Sequence, residues 1–197
     1  MTEFVHLHVH TEYSVQDSIL RIGEMIEKVK SDDQKAIAIT DLANTYAWVK
    51  CYKKALSQGI KPILGCEFWV QDREFHYQML LLCRNEKGYQ ALMRLISRCY
   101  QDDARDDVPW LNVEWLSPSD LADCLVICPG LTGWLGQPKE HHISMAKCWS
   151  QLAPDACYIG VHSFGQQNLS TQLALASTCA HHVPMPLVAL NGVCFLN

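Results

Sequence analysis

The sequence lacks an excess of positive charge, a paired-cysteine motif and an apolar run long enough to cross a bilayer. Its 197 residues carry 16 lysines and arginines against 21 aspartates and glutamates, a net charge of -5. This balance argues against extensive non-specific contact with DNA phosphates by the chain alone, so nucleic-acid binding would need a local basic patch. The N-terminus shows no basic region followed by an apolar core and a cleavage site. We therefore expect a cytoplasmic protein without membrane contact.

The ten cysteines form no CxxC pair, and Cys124 and Cys128 have the closest spacing. Most of them lie in apolar runs such as MLLLCR and CLVIC, where a free cysteine behaves as a small buried side chain. We expect reduced thiols, and neither a zinc ribbon nor a disulfide framework.

Short β-branched runs alternate with longer segments of helical period, and there is no internal repeat or low-complexity tract. The predicted strands are Phe4–Val9, Ala36–Thr40, Pro62–Phe68, Tyr77–Cys83, Cys124–Cys128, Cys157–His162 and Leu187–Leu190. The predicted helices are Ile22–Lys30, Tyr46–Gln58, Lys87–Tyr100, His142–Gln151 and Gln166–His181. Residues 101–109 are expected to form a solvated loop. This alternation predicts one α/β domain with a largely parallel sheet or a barrel.

Three histidines alternate in the first predicted strand, FVHLHVH. His6, His8 and His10 should point to one face, because strand side chains alternate with a period of two. Two of them could hold a divalent metal, and Asp17 could add an oxygen ligand. The alternative is a polar histidine face without metal.

Further donors fall where predicted strands end. Asp41 closes AIAITD and Glu67 lies in ILGCEFW. Since strand C-termini build the sites of α/β barrels, both could join the histidines. Asp41 could equally be the N-cap of the next helix.

Cys194 could be a zinc ligand or a small buried residue, and the buried role is favoured. Solvated surface is expected for His141, His142, His181 and His182.

Three segments together resemble one family. FVHLHVHTEYSVQD, then AIAITDLANTYAWVKCYKKALSQGIKPILGCEFWV, then LLCRNEKGYQALMRLIS resemble the polymerase and histidinol phosphatase (PHP) domain at the N-terminus of bacterial DNA polymerase III alpha subunits. The resemblance implies a distorted (β/α)7 barrel with a centre of up to three ions, usually zinc, that hydrolyses phosphoesters. The last strand reaches residue 197 without a closing helix. We therefore expect a single PHP domain, 1–197, that lacks its closing segment and the polymerase domains downstream.

The family's ligand pattern is only partly present. The resemblance places His8, His10, Asp17 and Glu67 at ligand positions, with His76 and His162 as weaker stand-ins. Other ligand positions carry residues that do not ligate well or that change the donor type: Leu42, Gln78, Gly130, Phe164, Gly192 and Cys194. We expect at most one weakly bound zinc or manganese and no hydrolytic cluster.

The resemblance implies a noncatalytic module of a replicative polymerase, which braces the polymerase core and docks the proofreading exonuclease subunit. DNA would be contacted through the holoenzyme, and DNA synthesis would belong to a palm domain outside these residues. Tryptophans could anchor partners or fill the core: Trp48, Trp69, Trp110, Trp115, Trp134 and Trp149. One alternative is a phosphoesterase or 3′–5′ exonuclease with a remodelled metal centre, and another is a freestanding enzyme similar to histidinol phosphatase.

Overall fold

The computed structural model describes residues 4–101, 108–162 and 166–196. The strands are β1 (His8–Val9), β2 (Ala36–Ile39), β3 (Lys61–Asp72), β4 (Phe75–Cys83), β5 (Trp110–Asn112), β6 (Cys124–Cys128), β7 (Cys157–Val161), β8 (Leu187–Ala189) and β9 (Gly192–Val193). The α-helices are α1 (Ile22–Ser31), α2 (Trp48–Ser57), α3 (Glu86–Gln101), α4 (Pro118–Leu121), α5 (Lys139–Leu152) and α6 (Gln166–His182). The predicted α/β class is confirmed.

A curved main sheet has the order β2-β3-β4-β6-β7-β8, and β5 pairs with the far end of β3. The short β1 pairs in parallel with β9, and backbone bonds from Ala38 N to His6 O and from Thr40 N to Val9 O join its segment to β2. β1 therefore lies between β9 and β2, at the place where the sheet curls round to become a distorted barrel.

The β3–β4 hairpin is the main departure from a parallel sheet. Among the described strand pairs, all are parallel except β3 with β4 and β4 with β6. The tight turn between Asp72 and Phe75 includes Arg73 at φ 55, a left-handed conformation that reverses the chain. Both strands are longer than predicted, because their outer halves stabilise each other by pairing.

The core has two layers. Inside the curve of the sheet lies a small cluster that includes Leu80, Leu82 and Ile127. A larger cluster fills the space between the sheet and the helices, to which α2 contributes Trp48, Cys51 and Ala55. Burial of these two layers removes apolar surface from water and provides the main stabilisation of the fold.

The structure corrects several predicted boundaries. Strand structure in the first segment covers only His8–Val9 and not Phe4–Val9. α2 begins at Trp48 and not at Tyr46, whereas α5 begins earlier than predicted, at Lys139. β5, α4 and β9 were not predicted, because two to four residues are too few to show a period. Most of the predicted loop 101–109 lies outside the described residues.

The six tryptophans differ in burial. Trp48, Trp134 and Trp149 are buried in the core, whereas the other three are partly exposed. Across the described residues, no helix combines the length and the apolar character that a membrane span requires.

Candidate metal centre

Three donor side chains converge at the end of β1. Nε2 of His8 lies 3.2 Å from Oε1 of Glu67, and Nε2 of His10 lies 2.8 Å from Oε2 of the same carboxylate. All three residues are buried, and Glu67 is only 1% exposed. The sequence-predicted ligands His8, His10 and Glu67 thus form one compact group.

Strand geometry places Glu67 inside the barrel. It pairs with Leu80 of β4, so both side chains project to the inner face, while its neighbours Cys66 and Phe68 pack towards the helices. Backbone bonds from Glu67 N to Asp41 O and from Ala43 N to Glu67 O hold this part of β3 against the end of β2. The carboxylate therefore lies at the barrel mouth, opposite the two histidines.

The donor set fits one metal ion. Nε2 of His10 and Oε1 of Glu67 are buried without an aligned hydrogen-bond partner, and donor atoms of the three residues lie within 4.8 Å of one another. Ligand atoms on a tetrahedral zinc lie about 3.3 Å apart, close to the separations found here. Within the described ranges, this is the only group of three or more histidine, cysteine, aspartate or glutamate side chains that could hold an ion.

Mutual contacts shift the pKa values of Glu67 and His10. Burial raises the pKa of Glu67, but the neighbouring His8 and His10 outweigh it and bring the pKa down to about 2. Burial lowers the pKa of His10, and its contacts with Cys194 and Glu67 outweigh burial and raise the pKa to about 10. In the metal-free protein a His10 imidazolium therefore balances the Glu67 carboxylate, and a metal ion would have to displace that proton.

Asp17 and Cys194 also approach the His10 ring. Oδ2 of Asp17 is 3.9 Å from Nδ1 of His10, and the Asp17 side chain is 45% exposed. The Cys194 side chain contacts the same ring. Ser18 Oγ donates to the Cys194 carbonyl at 2.8 Å, which ties this segment to the first loop. Cys194 is thus half-buried beside His10, which corrects the expectation of a small buried residue.

His162 lies at the edge of the group. Its ring centroid is 6.0 Å from that of His8, and its Nε2 lies 3.0 Å from the Pro129 carbonyl oxygen. Burial lowers the pKa of His162, so it is held in the neutral form that a metal ligand requires. Gly130 makes room for it, because a Cβ there would lie 2.8 Å from Cδ2 of His162. His162 therefore occupies space that a larger residue at 130 would fill.

His76 is separated from the group. It pairs with Gln71 near the outer end of the hairpin, four residues along β4 from Leu80, the cross-strand partner of Glu67. At about 3.3 Å per residue this is about 13 Å along the strand. Its ring packs 4.6 Å from that of Trp110. His76 cannot serve as a ligand beside Glu67 in this arrangement.

His6 does not share the site of His8 and His10. Its ring packs against Phe4, with centroids 4.9 Å apart. Burial lowers the pKa of His6, and the charge of Asp32 at the end of α1 opposes that effect. The expected common face of three histidines fails because regular strand geometry covers only His8 and Val9.

Asp41 is neither a ligand nor a helix cap. Its Oδ1 accepts hydrogen bonds from Thr11 N at 2.6 Å and Ser14 Oγ at 2.7 Å, and Oδ2 accepts from Thr11 Oγ1 at 2.8 Å. The helix that follows starts only at Trp48, with Ala47 at its N-cap. Asp41 therefore fixes the loop that carries His10.

The surface assignment of the paired histidines is wrong for His142. That residue is 3% exposed, and its Nε2 lies 2.7 Å from the Gln137 carbonyl oxygen. His141 packs on Phe75, while His181 and His182 are exposed as expected.

Sequence reasoning missed the supporting residues of the centre. Thr11, Ser14 and Ser18 orient the first loop, and the Thr-x-x-Ser spacing after the histidines gives only a weak hint of this. Leu42, Gln78 and Gly192 supply no imidazole or carboxylate donor at their positions. Phe164 lies outside the described residues.

Comparison with known proteins identifies the relatives of this chain. A family model described as the PHP domain matches residues 6–162. DNA polymerase III subunit alpha of Pseudomonas fluorescens is 32% identical over 98% of this chain and 17% of its own length. The subunit of Escherichia coli K12 is 30% identical over the same shares. The chain thus spans less than a fifth of the length of these curated relatives.

Solved structures support the same fold. A protein of Bifidobacterium adolescentis assigned as a metal-dependent phosphoesterase superposes with a TM-score of 0.62 at 11% identity, over 99% of this chain and 89% of its own. An amidohydrolase of Chromobacterium violaceum, solved with sulfate and no metal, gives a TM-score of 0.63 at 12% identity, over 96% and 87%. These likenesses confirm the expected distorted barrel and concern the fold alone.

Proposed function

The chain belongs to the PHP domain family, and on this premise we propose that it is the N-terminal PHP module of a bacterial DNA polymerase III alpha subunit, acting in DNA replication in the cytoplasm. Residues 1–197 would be one domain of a longer chain, with a closing segment and the polymerase domains after it. The observation that carries this proposal is the sequence likeness to alpha subunits, which extends over 98% of the chain.

We propose further that the module is structural and not hydrolytic. His8, His10 and Glu67 would hold one zinc or manganese ion, with Asp17 close enough to join after a small movement. Such an ion would supply Lewis-acid chemistry. The residues themselves neutralise the buried carboxylate and bind β1 to β3. The resemblance to the PHP family implies further ligand positions of a hydrolytic centre at 42, 78, 130 and 192, where this chain has leucine, glutamine and two glycines.

The partners we propose are the remainder of the alpha chain and the proofreading exonuclease subunit, with DNA reached through the assembled polymerase. Incubation of the purified chain with that exonuclease, followed by size-exclusion chromatography, tests the second partner. Separate elution at micromolar concentrations would refute direct docking on this domain.

Metal analysis tests the site itself. We expect at most one zinc or manganese ion per chain after dialysis. Glu67→Gln should abolish this binding, because it removes the carboxylate that contacts both histidines. The matched control is His181→Ala, which removes an exposed histidine outside the site and should leave binding unchanged.

A second candidate function is a phosphoesterase or 3′–5′ exonuclease with a remodelled centre. The position of His162 beside His8, and of Cys194 beside His10, favours it by adding donors near the group. Assays on single-stranded DNA and on p-nitrophenyl phosphate with added zinc or manganese separate the two functions. Hydrolysis that His8→Ala and His10→Ala both abolish, with two or more ions bound, would overturn the structural role.

A further inference from the structure

Helices α2 and α3 present an apolar groove on the outer face of the barrel. We define the α2/α3 groove by Trp48, Val49, Tyr52, Leu64, Tyr89 and Met93, which line a hollow of about 440 Å³. Its floor is fixed, because the indole N–H of Trp48 donates to the Gly65 carbonyl at 3.0 Å and its ring packs 5.4 Å from that of Tyr89. The groove is therefore a preformed feature of the fold.

The rim of the groove exposes more apolar surface than folding requires. On α2, Val49, Tyr52 and Leu56 are 67%, 46% and 52% exposed, at i, i+3 and i+7 spacing. They form a second apolar stripe beside the one that faces the core. Scattered exposed side chains are ordinary, whereas a contiguous apolar stripe beside a hollow marks an interaction surface.

The charge around the groove is positive although the whole chain is acidic. α2 contains three lysines and no acidic residue, and α3 contains Lys87, Arg94 and Arg98 against Glu86 alone. Lys50 and Lys54 are engaged with acidic residues of the N-terminal loop and α1. Among the described residues, Lys53 and Arg94 form no ion pair. Lys53 lines the hollow, and Arg94 lines its continuation along α3.

The groove is elongated. A second hollow continues from Met93 along α3 past Ser97 to Gln101. At 1.5 Å per residue, Met93 to Gln101 covers about 12 Å, or two helical turns. This length suits a short helix or peptide strand.

We propose that the α2/α3 groove binds an acidic peptide segment of another protein, with apolar side chains in the hollow and carboxylates beside Lys53 and Arg94. Helix-in-groove recognition uses this arrangement of apolar anchors and charged flanks. Single-stranded nucleic acid fits less well. Tyr52 and Tyr89 present exposed aromatic faces, but Val49, Leu64 and Met93, which line the rest of the hollow, offer no stacking plane. Two of the three α2 lysines are already paired with carboxylates, which leaves few cations for a phosphate backbone. The inference does not depend on the metal centre or on the identity of a parent protein.

The test uses the 197-residue chain and three fluorescein-labelled probes. The first is a short amphipathic peptide with leucine and phenylalanine at i, i+3, i+4 and i+7 and acidic residues elsewhere. The second has lysine in place of each acidic residue, and the third is oligothymidylate. Fluorescence anisotropy should show saturable binding of the acidic peptide only, weakening as salt rises.

Variants locate the binding. Val49→Asp should abolish it, because the new carboxylate lies in the apolar stripe and repels the peptide, and Lys53→Glu should weaken it about tenfold. The matched controls are Leu173→Asp and Lys147→Glu, exposed residues of the same types on α6 and α5. Both should bind like the unmodified chain. Circular dichroism checks that every variant is folded.

The remaining outcomes would overturn the proposal. These are oligothymidylate binding in preference to the acidic peptide, equal binding of both peptides, no binding of either, or acidic-peptide binding that survives Val49→Asp. Analytical ultracentrifugation tests whether a second copy of the chain occupies the groove. Self-association that Val49→Asp abolishes would identify a second copy of the chain as the occupant.

Discussion

Asp41 is a buried carboxylate whose hydrogen bonds hold a loop in place. It is fully buried and accepts three hydrogen bonds from Thr11 and Ser14, in the loop that follows His10. Hydrogen bonds to a charged acceptor are stronger than neutral ones. The placement of His10 opposite Glu67 therefore depends on a residue that need not contact an ion.

Replacement of Asp41 tests this role at the scale of a residue. Asp41→Ala should lower the free energy of unfolding by about 3 kcal/mol, because three donors lose their partner and Thr11 N–H stays buried. Urea denaturation measures the loss. The control Glu140→Ala removes an exposed carboxylate from the first turn of α5 and should change stability by less than about 0.5 kcal/mol. A similarly small change for Asp41→Ala would mean that another acceptor replaces the carboxylate.

At the scale of the element, α3 packs closely on the loop before β6. A Cβ on Gly88 would lie 2.2 Å from the Asp123 carbonyl oxygen, so the helix can approach this loop only with glycine. Asn85 Nδ2 also donates to Asp123 Oδ1 at 2.6 Å. The glycine of the NEKGYQAL segment is thus a packing requirement.

Two helical glycines should respond oppositely to alanine. Gly88→Ala should cost about 2 kcal/mol or more, because a backbone carbonyl must move. Gly23→Ala in α1 should be neutral or stabilising by up to about 1 kcal/mol, because its Cβ would meet only the flexible end of Lys54, at 3.4 Å. Thermal unfolding of both variants measures whether each substitution lowers or raises the stability. Equal effects would show that helix propensity dominates at both positions.

At the scale of the whole molecule, all ten cysteines are free thiols, of which seven are buried and three, Cys83, Cys148 and Cys194, are half-buried. Burial raises the pKa of Cys51 and of Cys157 to about 12, so neither forms a reactive thiolate at neutral pH. Cys148 and Cys194 are half-buried and more accessible. The thiols therefore stabilise this protein by packing, without covalent links.

Alkylation and reduction test this whole-molecule property. With iodoacetamide at pH 8, peptide mapping should find Cys148 and Cys194 modified well before Cys51 and Cys157, and urea should equalise the rates. The urea midpoint should be the same with and without dithiothreitol. A midpoint that falls on reduction would reveal a disulfide.

Local patterns predicted every long helix and most strands, but they missed β5, α4 and β9. β6 matches its predicted bounds, and α1, α3 and α6 differ by one residue at most at either end. β5 and β9 were not predicted, because their residues become strands only by pairing with β3 and β1. The antiparallel β4 was predicted as a strand, but its direction depends on the hairpin turn at Arg73.

The same division holds for the candidate metal centre. The sequence by itself determined the α/β class and the candidate donors His8, His10 and Glu67, because hydrophobic period and residue type act locally. Only the tertiary structure decided that His162 approaches His8, that Cys194 contacts His10 and that His76 faces Trp110. Those contacts join residues far apart in the chain. They follow from sheet curvature and strand register, which the packing of the whole core fixes.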